Sequence, residues 1–171
     1  MTEIMDFVDE MNNIIGRDTR ENIKTRKLNY RIVHIWVFNK EHKLMVCRRP
    51  LNRKNYLGLW TSSAGGHVKA GENYKEAAER EVKEELGIET DLKHAFTFNY
   101  IHPRGSYVFI DLWTSYNSLK LNKINLDKNE IEEIKFLSVE ELSKEVEEKP
   151  ELFNPQFIRL IKKWISHQKE K

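Results

Sequence analysis

The chain has 171 residues, 39% of them hydrophobic and 33% charged. That length predicts one domain, spanning 1–171, able to bury roughly two-thirds of its unfolded surface without staples. Lys and Arg number 29 and Asp and Glu 27, a net charge of +2. This balance supplies no field for non-specific nucleic-acid binding, and no nucleic-acid partner is expected. The single cysteine, Cys47, excludes an internal disulfide framework and a cysteine-based zinc site. No apolar run reaches the roughly 18 residues of a membrane span. The acidic start MTEIMDFVDE lacks a leader pattern, so a cytoplasmic location is the expectation.

In chain order, residues 1–29 read as an extension: a short strand near Phe7–Val8, a turn at Asn12-Asn13, and a polar surface helix over 20–27 capped by Asp18 or Thr19. Tyr30–Phe38 is rich in β-branched and aromatic residues and predicts a strand. Asn39–His42 suits a hairpin turn, with Leu44–Cys47 returning. Residues 50–58 form a basic loop, and Leu59–Ala64 a short strand ending in a Gly65-Gly66 turn. Asn73–Leu86 carries a helical apolar row, Ala78, Val82 and Leu86, with Gly87 where a left-handed cap is needed. Strands are predicted over 90–100 and 106–116 about a turn at His102–Gly105, then a polar loop over 117–129 and a strand over Ile131–Leu137. Ser138 and Glu141 form a capping box for a short helix. Residues 150–168 contain a C-terminal helix whose apolar face carries Phe157, Leu160, Ile161, Trp164 and Ile165. The order predicts an α+β or layered α/β/α domain with a mixed sheet.

The chemistry lies in the stretch from Gly65 to Ile88. Glu81, Glu84 and Glu85 are spaced i, i+3, i+4 and share one side of the predicted helix. Like charges at these spacings destabilise an isolated helix by roughly 0.2–0.5 kcal/mol per pair. Arg80 and Lys83 are expected to point elsewhere, so a hard divalent cation, Mg²⁺ or Mn²⁺, is the simplest compensation. The two glycines would let backbone approach it, and Glu72 would lie near the helix start.

From Gly66 the spacing runs five residues to Glu72, seven more to Arg80-Glu81, then Val82, Glu84-Glu85, Gly87 and Ile88. These nine positions in 23 residues resemble the complete signature of the Nudix family. The resemblance implies the Nudix fold, an α/β/α sandwich with a loop–helix–loop motif. It implies hydrolysis of a nucleoside diphosphate linked to a group X, or of a related small-molecule diphosphate, by metal-activated water. Glu81, Glu84 and Glu85 would be metal ligands and possible bases. Arg80 would orient a glutamate, Glu72 would act through the helix start or a metal-bound water, and Gly66 would offer its carbonyl. A homodimer is common in such a family. Members often recruit a further glutamate, for which Glu130 is the candidate and Glu132 and Glu133 the alternatives. Arg48, Arg49, Arg53 and Lys54 flank the expected mouth of the site and suit phosphates. His67 and Trp60 are candidate substrate contacts, with Phe98 and Tyr100 as further stacking candidates.

Outside that stretch, Trp36–Asn39, Arg48-Arg49, Gly58–Thr61, Gly66-His67 and Phe153–Pro155 resemble the isopentenyl-diphosphate isomerases, a divergent Nudix group. Their acid cysteine corresponds to Gly65 here, and a histidine ligand of their metal to Tyr30. Their acidic pair before the strand at 106–116 is missing. The expectation is therefore an isomerase-like hydrolase. An isomerase using a different acid and a non-catalytic binding module are the alternatives.

Overall fold

The computed structural model describes residues 2–52, 55–116 and 124–169. It opens with a hairpin of β1 (Ile4–Val8) and β2 (Ile14–Thr19), followed by a short helix α1 (Arg20–Thr25). Thr19 caps α1 by accepting the Asn22 N–H. The sequence reading missed β2, because Ile14-Ile15 before Gly16-Arg17-Asp18 lacks the alternation of a half-buried strand. Pairing makes it a strand: Ile4 lies opposite Thr19, and Phe7 opposite Gly16. Nor is α1 a purely surface helix, since Ile23 is fully buried beneath it.

β3 (Tyr30–Val37) is buried along its length, as befits a strand covered on both faces. It is antiparallel to β6 (Ala64–His67) and parallel to β8 (Tyr107–Ser115), which in turn is antiparallel to β7 (Lys93–Ile101). The order β6-β3-β8-β7 is a mixed sheet. On one face Val33, Ile35 and Val37 pack against Ala77, Ala78, Val82 and Leu86 of helix α2 (Tyr74–Leu86). On the other, Ile32 and Trp36 meet Phe157, Leu160, Ile161 and Trp164 of helix α4 (Pro155–Lys169). Leu142 and Val146 of helix α3 (Val139–Glu148) extend that layer. The Trp36 ring lies 5.1 Å from Trp164 and 5.9 Å from Phe157. The sheet is thus held between helices, and the expected layered α/β/α arrangement with a mixed sheet is the one observed.

A second sheet, with β4 (Leu44–Arg48) between β5 (Trp60–Thr61) and β9 (Glu133–Leu137), departs from the expectations. The turn at Asn39–His42 does not start a regular hairpin. Phe38 and Leu44 make one isolated bridge, and β4 then leaves β3 for this other sheet. Buried Ser63 joins the two sheets: its hydroxyl donates to the Met45 carbonyl at 2.6 Å and accepts from the Val37 N–H at 2.9 Å. Gly65-Gly66 is not a turn but part of β6, opposite His34 and Val33. Glycine is needed at Gly65 because a Cβ would sit 2.8 Å from the Val33 carbonyl oxygen. Glu130 does not begin a strand either; it lies in a turn, three residues before β9 starts.

Candidate active site

Helix α2 is fixed at both ends. Asn73 accepts the Glu76 N–H at 3.0 Å and Glu76 accepts the Asn73 N–H at 2.9 Å, a complete capping box. At the other end Gly87 takes φ +65°, as the spacing predicts, and donates to the Lys83 carbonyl. The next orphan carbonyls, of Glu85 and Leu86, accept the N–H groups of Asp127 and Asn125 at 2.9 Å each. That docking carries the following turn, with Glu130, towards the Glu85 side chain.

Arg80 stands at the centre of the acidic ridge, contrary to the expectation that it points away. Its Nε and Nη2 donate to Glu72 at 2.6 and 3.0 Å, and its Nη1 to Glu81 at 2.7 Å and Glu84 at 3.1 Å. Nη2 also reaches the His67 carbonyl at 3.0 Å. The guanidinium, and not a cation alone, therefore offsets the clustered charge. It also acts as a spring between loop and helix, tying Glu72 and β6 to α2. Burial opposes the charge on Arg80, but Glu72 and Glu81 outweigh it and raise its affinity for the proton. Burial pushes Glu72 up as well, yet the Arg80 bonds and the Lys69 N–H bring it below the ordinary carboxylate range.

Glu81 and Glu85 differ from Glu72. Burial lifts the Glu81 carboxyl, and Arg80 only partly reverses this. Glu85 is half-buried and lines a cavity. Burial, then the neighbouring Glu81 and Glu130 carboxylates, drive it well above the ordinary range, against Arg49 and the Gly65 N–H. Two like charges forced together in a partly dry site are the arrangement a cation relieves.

The cavity measures about 710 Å³. Its lining brings together Gly66, His67, Arg80, Glu81, Glu84, Glu85, Arg49 and Glu130. Arg49 lies 4.0 Å from Glu130. Glu72 supports the site from behind through Arg80. Arg48 faces away, pairing with Glu133 at 2.8 Å, and Trp60 does not line the cavity but packs beneath the Lys135 ammonium at 4.5 Å. The alternation of a strand, which puts Arg48 and Arg49 on opposite faces, explains the split. Arg53 and Lys54 lie outside the described residues. Phe98 packs on the core, and Tyr100 accepts a hydrogen bond from Gln156 at 2.8 Å. His67 is half-buried beside Tyr30, ring centroids 5.6 Å apart. Burial, with Arg20, Lys24 and Arg80 nearby, holds it neutral, well below its usual value.

Sequence reasoning missed the wall contributed by the N-terminal extension, where Glu3, Arg20 and Lys24 line the cavity. The signal was present, since Arg20 and Lys24 are four apart on one helix face. It also missed a polar floor. Trp36 Nε1 donates to Ser62 Oγ at 3.0 Å, and His34 Nδ1 lies 2.9 Å from the same oxygen. Burial drops His34 to about 4, so it is neutral at physiological pH.

The donor set fits a hard divalent cation. Glu81, Glu84 and Glu85 supply carboxylate oxygens at the cavity edge. Gly66 has no Cβ, and one would collide with the Glu81 carboxylate, so the β6 backbone and that side chain approach as no other residue permits. Among the described residues no three His, Cys, Asp or Glu side chains are already gathered as a metal cluster. Arg80 holds the Glu81 and Glu84 oxygens, and a cation would compete with it for them.

Comparison with known proteins agrees with this geometry. The NUDIX domain family model matches residues 28–160. The chain is 29% identical over 173 residues to an uncharacterised Nudix hydrolase of Yersinia pestis, covering 98% of this chain and 88% of that protein. It is 26% identical over 172 residues to an isopentenyl-diphosphate Delta-isomerase of Serratia proteamaculans, covering 100% and 96% respectively. A crystal structure of a Deinococcus radiodurans protein superposes with a TM-score of 0.81 at 23% identity, covering 94% of this chain and 98% of that one. The fold is therefore shared even where sequence has drifted. The chain belongs to the Nudix hydrolase family and is an enzyme acting on pyrophosphate bonds.

Proposed function

We propose that the protein hydrolyses a nucleoside diphosphate linked to a group X, or a related small diphosphate, at the α2 end of the cavity. The observation that carries this reading is the crowding of Glu81, Glu85 and Glu130 around one concave space, with Glu85 forced towards its neutral form. Glu81, Glu84 and Glu85, with the Gly66 carbonyl, would hold Mg²⁺, with Mn²⁺ also accepted. When bound there, the cation supplies neutralisation of the diphosphate charge and a lower pKa for a coordinated water. Arg80 keeps Glu81 and Glu84 in register and cancels part of their repulsion. Glu84, at the mouth, and Glu130, across the cavity, are the carboxylates proposed to take the proton from the attacking water. Arg49 faces the same space and suits the departing phosphate.

One observation favours a second reading, isomerisation of a prenyl diphosphate. Cys47 lines the cavity and is the chain's one thiol, held protonated by burial and donating to the Ser63 carbonyl at 3.1 Å. A release screen over nucleotide, sugar, dinucleotide and coenzyme diphosphates with Mg²⁺ and Mn²⁺ tests the first reading. Isopentenyl diphosphate, followed for double-bond migration, tests the second. Phosphate or nucleotide release supports hydrolysis; isomer formation without release from any compound overturns it.

A further inference from the structure

The cavity has an end that hydrolysis of a bare diphosphate does not use. Arg20, Lys24, Arg104 and His102 line it, with Glu3 beside them. Arg20 and Lys24 are one helical turn apart on α1, an unfavourable spacing for like charges. Ile23 is anchored in the core and Thr19 caps the helix, so the orientation of both cations is set. Arg104 comes from the turn between β7 and β8. The parallel register of Tyr30 with Val108, and the Asn29 side chain accepting the Tyr107 N–H at 2.9 Å, hold that turn beside α1.

The charge there is unbalanced. Arg20 pairs with Glu3 at 2.9 Å. Among the described residues Lys24 and Arg104 form no ion pair. Burial, and then the Arg20 guanidinium with Arg104 behind it, hold the Lys24 ammonium below its ordinary value, with Glu3 opposing. Three cations thus face one carboxylate in a concave space, the arrangement that selects a compact oxyanion.

The position separates this cluster from the glutamates. Gly65, whose N–H reaches Glu85, lies opposite His34 on β3. Tyr30, which feels both Arg20 and Arg104, is four residues earlier on that strand. At about 3.3 Å per residue those two β3 positions are roughly 13 Å apart along the backbone, and His67, opposite Ile32 between them, feels Arg20 and Lys24 on one side and Arg80 on the other. We propose that Arg20, Lys24 and Arg104 form a second anion subsite that takes a phosphate carried on the group X. This rests on the hydrolase reading above and narrows its substrate class to diphosphates bearing a further phosphate monoester.

Matched pairs test it: coenzyme A against its 3′-dephospho form, and NADP against NAD. Binding is measured by calorimetry on the full chain in EDTA, and kcat/KM with Mg²⁺. The phosphorylated member of at least one pair should bind about tenfold tighter. That preference should fall towards unity in Lys24→Ala/Arg104→Ala, and part of the way in Arg104→Ala alone, a change on an exposed turn that leaves the core intact. Equal binding of both members of every pair, binding of none, or a preference that survives the double substitution overturns the subsite. Preference in binding without hydrolysis sustains the subsite and counts against the hydrolase reading. Hydrolysis without preference does the reverse.

Discussion

Arg80→Lys keeps the charge at the centre of the ridge and removes its fork. Arg80 makes five hydrogen bonds, to Glu72, Glu81, Glu84 and the His67 carbonyl. A lysine has three donors, so at least two bonds are lost. The Glu84 bond counts for little, because that side chain is 53% exposed. The Arg80 side chain itself is 18% exposed, and those of Glu72 and Glu81 20% and 11%, so the remaining bonds are sheltered. At about 1.5–3 kcal/mol for each hydrogen bond to a charged group, reduced for partial exposure, the loss is about 2–4 kcal/mol. For a chain of this length that lowers the melting temperature by roughly 5–15 °C. Thermal unfolding followed by circular dichroism in EDTA reads this directly. Adding Mg²⁺ should recover part of the loss, because the cation takes over the glutamates that Arg80 has released. A variant that melts within about a degree of the wild type in EDTA would refute the view of Arg80 as the clamp between loop and helix.

Glu84→Gln should cut turnover by about 10²–10⁴-fold while the circular dichroism spectrum is unchanged; full activity would remove Glu84 from the reaction. Gly66→Ala drives a methyl into the Glu81 carboxylate and should lower kcat about 100-fold through misplacement, whereas a kcat near wild type would show that this close approach is not required. Glu85 gives a pH test. Its carboxyl is raised in the folded chain, so the native state holds that proton more tightly than the unfolded one. Its contribution is most favourable at and below the ordinary carboxylate value of about 4.3 and declines as pH rises from there to the elevated one. In EDTA the wild type should therefore lose stability across that window, and Glu85→Gln should be flatter and more stable above it. Parallel urea-unfolding curves against pH would contradict this.

Much of the site was legible because its determinants are local. The i, i+3, i+4 glutamates and the Gly87 stop act within one helix, where sequence spacing is spatial spacing. Long-range determinants were not legible. Gly65-Gly66 reads as a turn because nothing nearby says that Val33 and His34 pass alongside and leave no room for a Cβ. Arg80 reads as outward-facing because its strongest partner, Glu72, lies eight residues back, outside the helix. Residues 1–16 read only as a short strand and a turn. Yet Asp6 accepts the Gly71 N–H at 2.8 Å and the Ile4 carbonyl accepts the Ala70 N–H at 2.9 Å, so the hairpin of β1 and β2 shapes the loop entering α2. Arg48 and Arg49 read as equivalent at the mouth of the site, and only the fold separates them, with Arg49 at the cavity and Arg48 on Glu133.

The central claim is that Glu81, Glu84 and Glu85 grip a divalent cation against the substrate's diphosphate. Crystals soaked in Mn²⁺ with a non-hydrolysable diphosphate, and read by anomalous scattering, test it most directly. The account predicts a peak bonded at about 2.1–2.2 Å to glutamate oxygens of α2 and to a phosphate oxygen of the ligand. Anomalous density confined to other surface carboxylates, with the Arg80 bonds to Glu81 and Glu84 intact, would contradict it.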